Sequence, residues 1–81
     1  MSKTVMVVGE GEANNYEHYK HVFDDESEVI VRGADPEGDG TGLRGFSADL
    51  VVLLVDLAES VRTRVLQPMI TVTDGEIINA Y

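Results

Sequence analysis

Three carboxylates stand at alternate positions in Asp35-Pro36-Glu37-Gly38-Asp39-Gly40. A row of hard oxygens suits calcium or magnesium, which both take oxygen ligands. A second grouping is Gly9-Glu10-Gly11-Glu12-Ala13-Asn14. A backbone free of side chains at Gly9 and Gly11 can approach a phosphate closely. His18 and His21 lie three residues apart and share a helix face if the segment is helical. Arg44 sits in Gly42-Leu43-Arg44-Gly45-Phe46, where few side chains crowd its guanidinium. Asp56 ends the most apolar run of the chain, from Leu50 to Val55.

Each grouping has a competing structural explanation. Gly9–Asn14 follows a strand-like run and precedes a helix-like one, the setting of the dinucleotide fingerprint Gly-x-Gly-x-x-Gly. Asn14 replaces the third glycine, and Glu10 and Glu12 would set negative charge beside a pyrophosphate. Arg32 stands at the end of the next strand, where a ribose-binding acid belongs. The competing reading is a tight turn with exposed acids. Asp35, Glu37, Asp39 and Gly40 match positions 1, 3, 5 and 6 of a twelve-residue calcium loop, but position 12 is Phe46 in place of a bidentate glutamate. The competing reading is a solvated acidic turn. A helical zinc pair is usually spaced i, i+4 with a further ligand, so His18 and His21 read as an exposed polar face. There is no Gly-x-x-x-x-Gly-Lys-Ser/Thr loop to cradle β- and γ-phosphates. Ser27, Ser47 and Ser60 lie outside any Gly-x-Ser-x-Gly turn. No catalytic set emerges, so the chain is expected not to be an enzyme and no cofactor is expected.

The elements that position these groups follow from apolar periodicity. Residues 4–8 and 28–32 are β-branched runs ended by glycine and predict strands. Tyr16, Tyr19, Val22 and Phe23 share a helical face, with Asn14 or Asn15 as cap and the acids at 24–26 as the stop. Residues 33–42 have no apolar period and read as an acidic connection. Residues 49–55 are continuously apolar, as in a parallel strand covered on both faces. Asp56 and Glu59 resemble a capping box, and Leu57, Val61 and Val65 stack along the helix it starts. Gln67-Pro68 should end that helix, because the residue before proline avoids the α region. Asp74-Gly75 between two β-rich runs predicts a C-terminal hairpin. The expected fold is a single α/β domain over 1–81. It is a small Rossmann-like β-α-β-β-α-β-β sandwich, mostly parallel, with strand order 2-1-3-4 and the hairpin strand at an edge.

Composition narrows the class of partner. The chain has 81 residues, 43% apolar content and no cysteine, which excludes disulfides and thiolate metal sites. Fifteen acids against six bases give a net charge of −9. Such a field disfavours a nucleic-acid backbone and suits solubility or docking onto a basic protein surface. The N-terminal apolar run is too short for a secretory signal, and Leu50–Val55 is far below the ~20 apolar residues of a membrane span. A cytoplasmic protein with no nucleic-acid or membrane partner is expected.

The stretch Gly42–Asp56 resembles the Walker B region of phage terminase and helicase-type ATPases, where a basic glycine-containing turn leads into an apolar strand ending in Asp. It also resembles a turn in short Rossmann-like proteins of actinobacterial phages. The resemblance implies that Asp56 matches the metal-coordinating aspartate and Arg44 the arginine of the turn. Leu57 occupies the place of the catalytic glutamate and the Walker A loop is missing, so the implied fold is a nucleotide-site relic without ATPase activity.

Three functions remain open. The leading expectation is a non-enzymatic, acidic interaction module, phage-encoded, that binds and modulates a host protein in the host cytoplasm. The first alternative is a degenerate nucleotide- or divalent-metal-binding domain using Gly9, Gly11, Asp35, Glu37, Asp39, Arg44 and Asp56. The second is a homodimer or larger homo-oligomer paired through the C-terminal edge strand, with Ile77 and Ala80 at the contact.

Overall fold

The computed structural model describes residues 3–23, 27–38, 40, 43 and 45–81. Val5 to Gly9 are all buried, as the β-branched run predicts, and they form the middle of strand β1, Thr4–Glu10. β2, Glu28–Ala34, pairs parallel to one edge of β1, in register from Thr4 opposite Glu28 to Glu10 opposite Ala34. β3, Leu50–Leu53, pairs parallel to the other edge. β4, Glu76–Asn79, lies parallel beyond β3. The result is an α/β fold on a four-stranded parallel sheet of order β2-β1-β3-β4, as expected. No helix among the described residues is long and apolar enough to cross a membrane.

Alternation along the strands divides the core in two. On the back face, Met6, Val8, Val51 and Leu53 join Leu43, Ala48, Val55, Leu57, Val61, Val65, Leu66, Met69 and Ile70 in one buried cluster. On the front face, among the described residues, only Val5, Val7 and Val31 are buried. A 3₁₀ helix, Ala13–His21, crosses this front face over β2 and β1. The spacing Ala13, Tyr16, Tyr19 fits it, because side chains three apart eclipse along a 3₁₀ helix. All three pack against the front cluster together with Phe23. Two expectations fail here. Glu12 precedes the first turn and neither asparagine caps it. Val22 is 63% exposed, since the tighter helix turns it off the aromatic stripe. The expected stop at 24–26 lies outside the described residues.

The back-face helix corrects the expected hairpin. α1, Glu59–Val61, continues into a π-helical turn, Arg62–Leu66, and then α2, Gln67–Thr71. The Gln67 N–H bonds the Arg62 carbonyl, five residues back. In a regular α-helix the Pro68 ring would clash with the carbonyl four residues before it. The wider π turn just ahead of Pro68 relieves that conflict, and the helix carries on. Met69 and Ile70 are thereby buried on the stripe of Val61, Val65 and Leu66. Asp74-Gly75 does not turn between two strands. Asp74 has φ 54°, its N–H bonds the Thr71 carbonyl at 3.4 Å, and the Gly75 N–H bonds the Ile70 carbonyl at 3.0 Å. This is a Schellman helix stop, after which the chain enters β4 in the parallel sense. Hairpin and helix stop both need a positive φ, so the dipeptide alone does not separate them.

Leu66 is buried just before the position where the helix was expected to end, and Val72 is 83% exposed just after. Leu66→Ala is expected to cost about 2–4 kcal/mol of unfolding free energy, and Val72→Ala under ~0.5 kcal/mol. Urea titrations of the two variants measure both.

Candidate functional site at the carboxyl edge of the sheet

Ligands of open α/β sheets sit beyond the carboxyl ends of the strands. In this sheet those ends bring together Gly9–Gly11, Gly33–Asp35 and Leu54–Asp56, all sequence-predicted positions, and Tyr81 beyond β4. The Leu54 N–H bonds the Val8 carbonyl at 2.8 Å, which sets the segment leading to Asp56 beside the one leading to Gly9.

The glycines at this edge are explained by close packing. A Cβ on Gly9 would lie inside the Tyr16 ring, and one on Gly33 would overlap the Gly11 carbonyl. The Tyr16 hydroxyl donates to the Glu10 carbonyl at 2.9 Å, and the Gly11 N–H donates to the Ala34 carbonyl at 3.1 Å. The turn after β1 is thus clamped onto β2 and the 3₁₀ helix. The cleft here, about 370 Å³, is lined by Glu10, Gly11, Gly33, Ala34, Asp35 and Pro36. Two acids and no cation line it, which repels a phosphate. Arg32 turns elsewhere, with its guanidinium 4.9 Å from the Phe46 ring centroid.

Asp35 already braces its own loop. Its Oδ1 accepts the Glu37 N–H at 2.9 Å, and its carbonyl accepts the Gly38 N–H at 2.9 Å. Asp39 and Arg44 lie outside the described residues. Among the described residues no three of His, Asp and Glu gather closely enough to hold a metal ion. His18 stacks obliquely on Tyr19, ring centroids 4.5 Å apart, and both His18 and His21 are exposed.

Asp56 is not a helix cap. The helix begins two residues later than the capping box requires, with Ala58 before its first turn and no side-chain cap. Asp56 instead accepts the Arg62 Nη2–H at 3.1 Å. The same guanidinium makes three further hydrogen bonds. Its Nε–H donates to the Leu57 carbonyl at 3.1 Å, Nη1–H to the Asn79 Oδ1 at 2.8 Å, and Nη2–H also to the Tyr81 hydroxyl at 2.6 Å. The Tyr81 ring lies 5.6 Å from the same guanidinium. One arginine thus joins the loop after β3, the back-face helix, β4 and the residues beyond it. Local sequence does not reveal this clasp, since Asn79 and Tyr81 lie 17 and 19 residues away.

The predicted contact residues Ile77 and Ala80 have different surroundings. Ile77 is half-buried against the back cluster, while Ala80 is exposed and its N–H bonds the Leu53 carbonyl at 2.7 Å. Backbone groups alternate sides along a parallel ladder. Those of Ile77 and Asn79 therefore face the free edge of the sheet.

Arg62→Ala is expected to lower unfolding free energy by about 1–2 kcal/mol, the range for charge-assisted bonds at a half-exposed site. It should also raise hydrogen exchange at the Ala80 amide more than at Val7, measured by NMR. No family model, no curated protein and no solved structure matches the chain.

Proposed function

We propose that the chain is a non-enzymatic interaction module whose working surface is the front face of β3 and β4. The observation that carries this is unequal cover on the two sides of one sheet. The back face buries thirteen apolar residues. On the front, Leu50, Val52 and Leu54 are only partly buried against Val5, Val7 and Val31, and Ile78 is 43% exposed beside them. The 3₁₀ helix lies mainly over β2 and β1. Isolated exposed apolar residues are common, whereas a contiguous row across two strands marks a contact surface. The sheet order supports a Rossmann-like arrangement, with one connection on the front and the helix after β3 on the back. The net charge of −9 supports modulation of a basic partner.

A second reading is self-association through the edge of β4. The outward backbone groups of Ile77 and Asn79 favour it, because an open edge can pair with another strand.

Ile78→Asn is expected to abolish recovery of a bound protein from extracts of the source cells, with the melting midpoint little changed. Glu17→Gln, on the far side of the 3₁₀ helix stripe, should leave recovery intact. Equal recovery by Ile78→Asn and Leu54→Asn would remove the front face from the proposal. Nucleotide turnover by the purified protein, abolished by Asp56→Ala, would overturn the non-enzymatic reading.

A further inference from the structure

The partly covered strip of Leu50, Val52, Leu54 and Ile78 has a width, a polarity and a charge, and the three together restrict what can lie on it. Adjacent strands are ~4.8 Å apart, so β3 and β4 present a band about as wide as one α-helix, whose diameter with side chains is ~10 Å. On the same face, one helix already covers the other two strands. In register across the band stand Leu50 with Glu76 and Val52 with Ile78, and Leu54 continues the row. The exposed apolar surface is on the face and not at the edge. A strand added to β4 would lengthen the sheet and leave Leu50, Val52 and Leu54 as they are. A helix laid along the strands would cover all of them.

Charge then selects among helices. Glu76 lies on this face at its amino end and is exposed. Of the cations, Lys20 is paired with Glu17 at 3.0 Å and Arg62 with Asp56 at 3.1 Å, while Lys3 lines the cleft that Glu76 also lines. Arg32 is held over Phe46. A second copy of the chain would bring its own −9 against the −9 already present, a repulsion that opposes close docking at ordinary ionic strength. A partner with lysine or arginine flanking an apolar stripe gains both apolar burial and attraction.

We infer that the front face of β3 and β4 receives an amphipathic, basic α-helix of a partner protein, its apolar stripe on Leu50, Val52, Leu54 and Ile78. This rests on the interaction-module reading and names the partner's chemistry. The test uses two synthetic helical peptides with leucine at i, i+3, i+4 and i+7, one with lysine and the other with glutamate at the flanking positions. Binding is followed by amide NMR shifts on the full chain and by fluorescence titration at two salt concentrations. The lysine peptide should shift amides of Leu50, Val52, Leu54 and Ile78 more than those of the back-face helix. Its affinity should exceed that of the glutamate peptide by about tenfold or more, and Ile78→Asn should weaken it about tenfold. Leu54→Asn serves as the second variant, with melting curves confirming that both fold. Equal binding by wild type and Ile78→Asn, with shifts spread over the whole surface, would show attraction by charge alone and overturn the inference. Absence of peptide binding together with Ile78-dependent dimers in light scattering would replace the helix by a second copy, and the interaction-module reading would stand. Absence of both would remove the two together.

Discussion

A strand whose residues Val5 to Gly9 are all buried has side chains on both faces of the sheet and a neighbour on each edge. Every other element answers that requirement. Two flanking strands satisfy the backbone of β1. The 3₁₀ helix covers Val5 and Val7 on the front, and the back-face helix covers Met6 and Val8. Roughly 1.5–3 kcal/mol for each large apolar side chain removed from water makes this burial the main favourable contribution. A chain of 81 residues has few such side chains to spare, so it spends them unevenly. The back face buries more of them than the front, where Leu50, Val52 and Leu54 stay partly buried and Ile78 is exposed.

That imbalance organises the functional reading. The back-face helix must be long enough to cover β3 and reach β4, and it becomes so by passing Pro68 through a π turn. The passage places Met69 and Ile70 in the core. It also holds the crossover segment, since the Ala48 N–H bonds the Met69 carbonyl at 3.2 Å and the Thr73 hydroxyl bonds the Ala48 carbonyl at 2.6 Å. Beyond the helix stop, β4 is short and lies at an edge. Its hold on the rest of the molecule is the ladder to β3 and the Arg62 clasp. Among the described residues, the front of β3 and β4 is the less covered side, with Leu50, Val52 and Leu54 partly buried and Ile78 exposed.

The carboxyl edge carries the residues that first suggested chemistry, yet their geometry is mostly internal. Gly9 makes room for Tyr16, Gly33 for the Gly11 carbonyl. Asp35 closes a turn on Glu37, and Asp56 neutralises Arg62. Each is a short polar or glycine residue at a strand end, where tight turns and ligand sites demand the same residue types. Type and spacing therefore raise the question of ligand binding without answering it.

The sequence by itself determined where the four strands lie, because continuous β-branched runs bounded by glycine have few other uses, though it also suggested a fifth in the run before Asp74, whose first residues are helical. It also determined the strand order, through the preference of parallel connections for one hand, and the acidic balance of the surface. Only the tertiary structure decided the rest. Pro68 and Asp74-Gly75 are local signals with two solutions each, and burial of Met69 and Ile70 selected the helical one. Asp56 is an ordinary cap residue until Arg62 comes within reach through the fold. The less covered front face is written in no single segment: Leu50, Val52, Leu54 and Ile78 read as core in their own strands, and they are only partly buried or exposed because the 3₁₀ helix lies mainly over β2 and β1. Local sequence sets which residues prefer burial. How much cover exists to bury them is a property of the assembled layers.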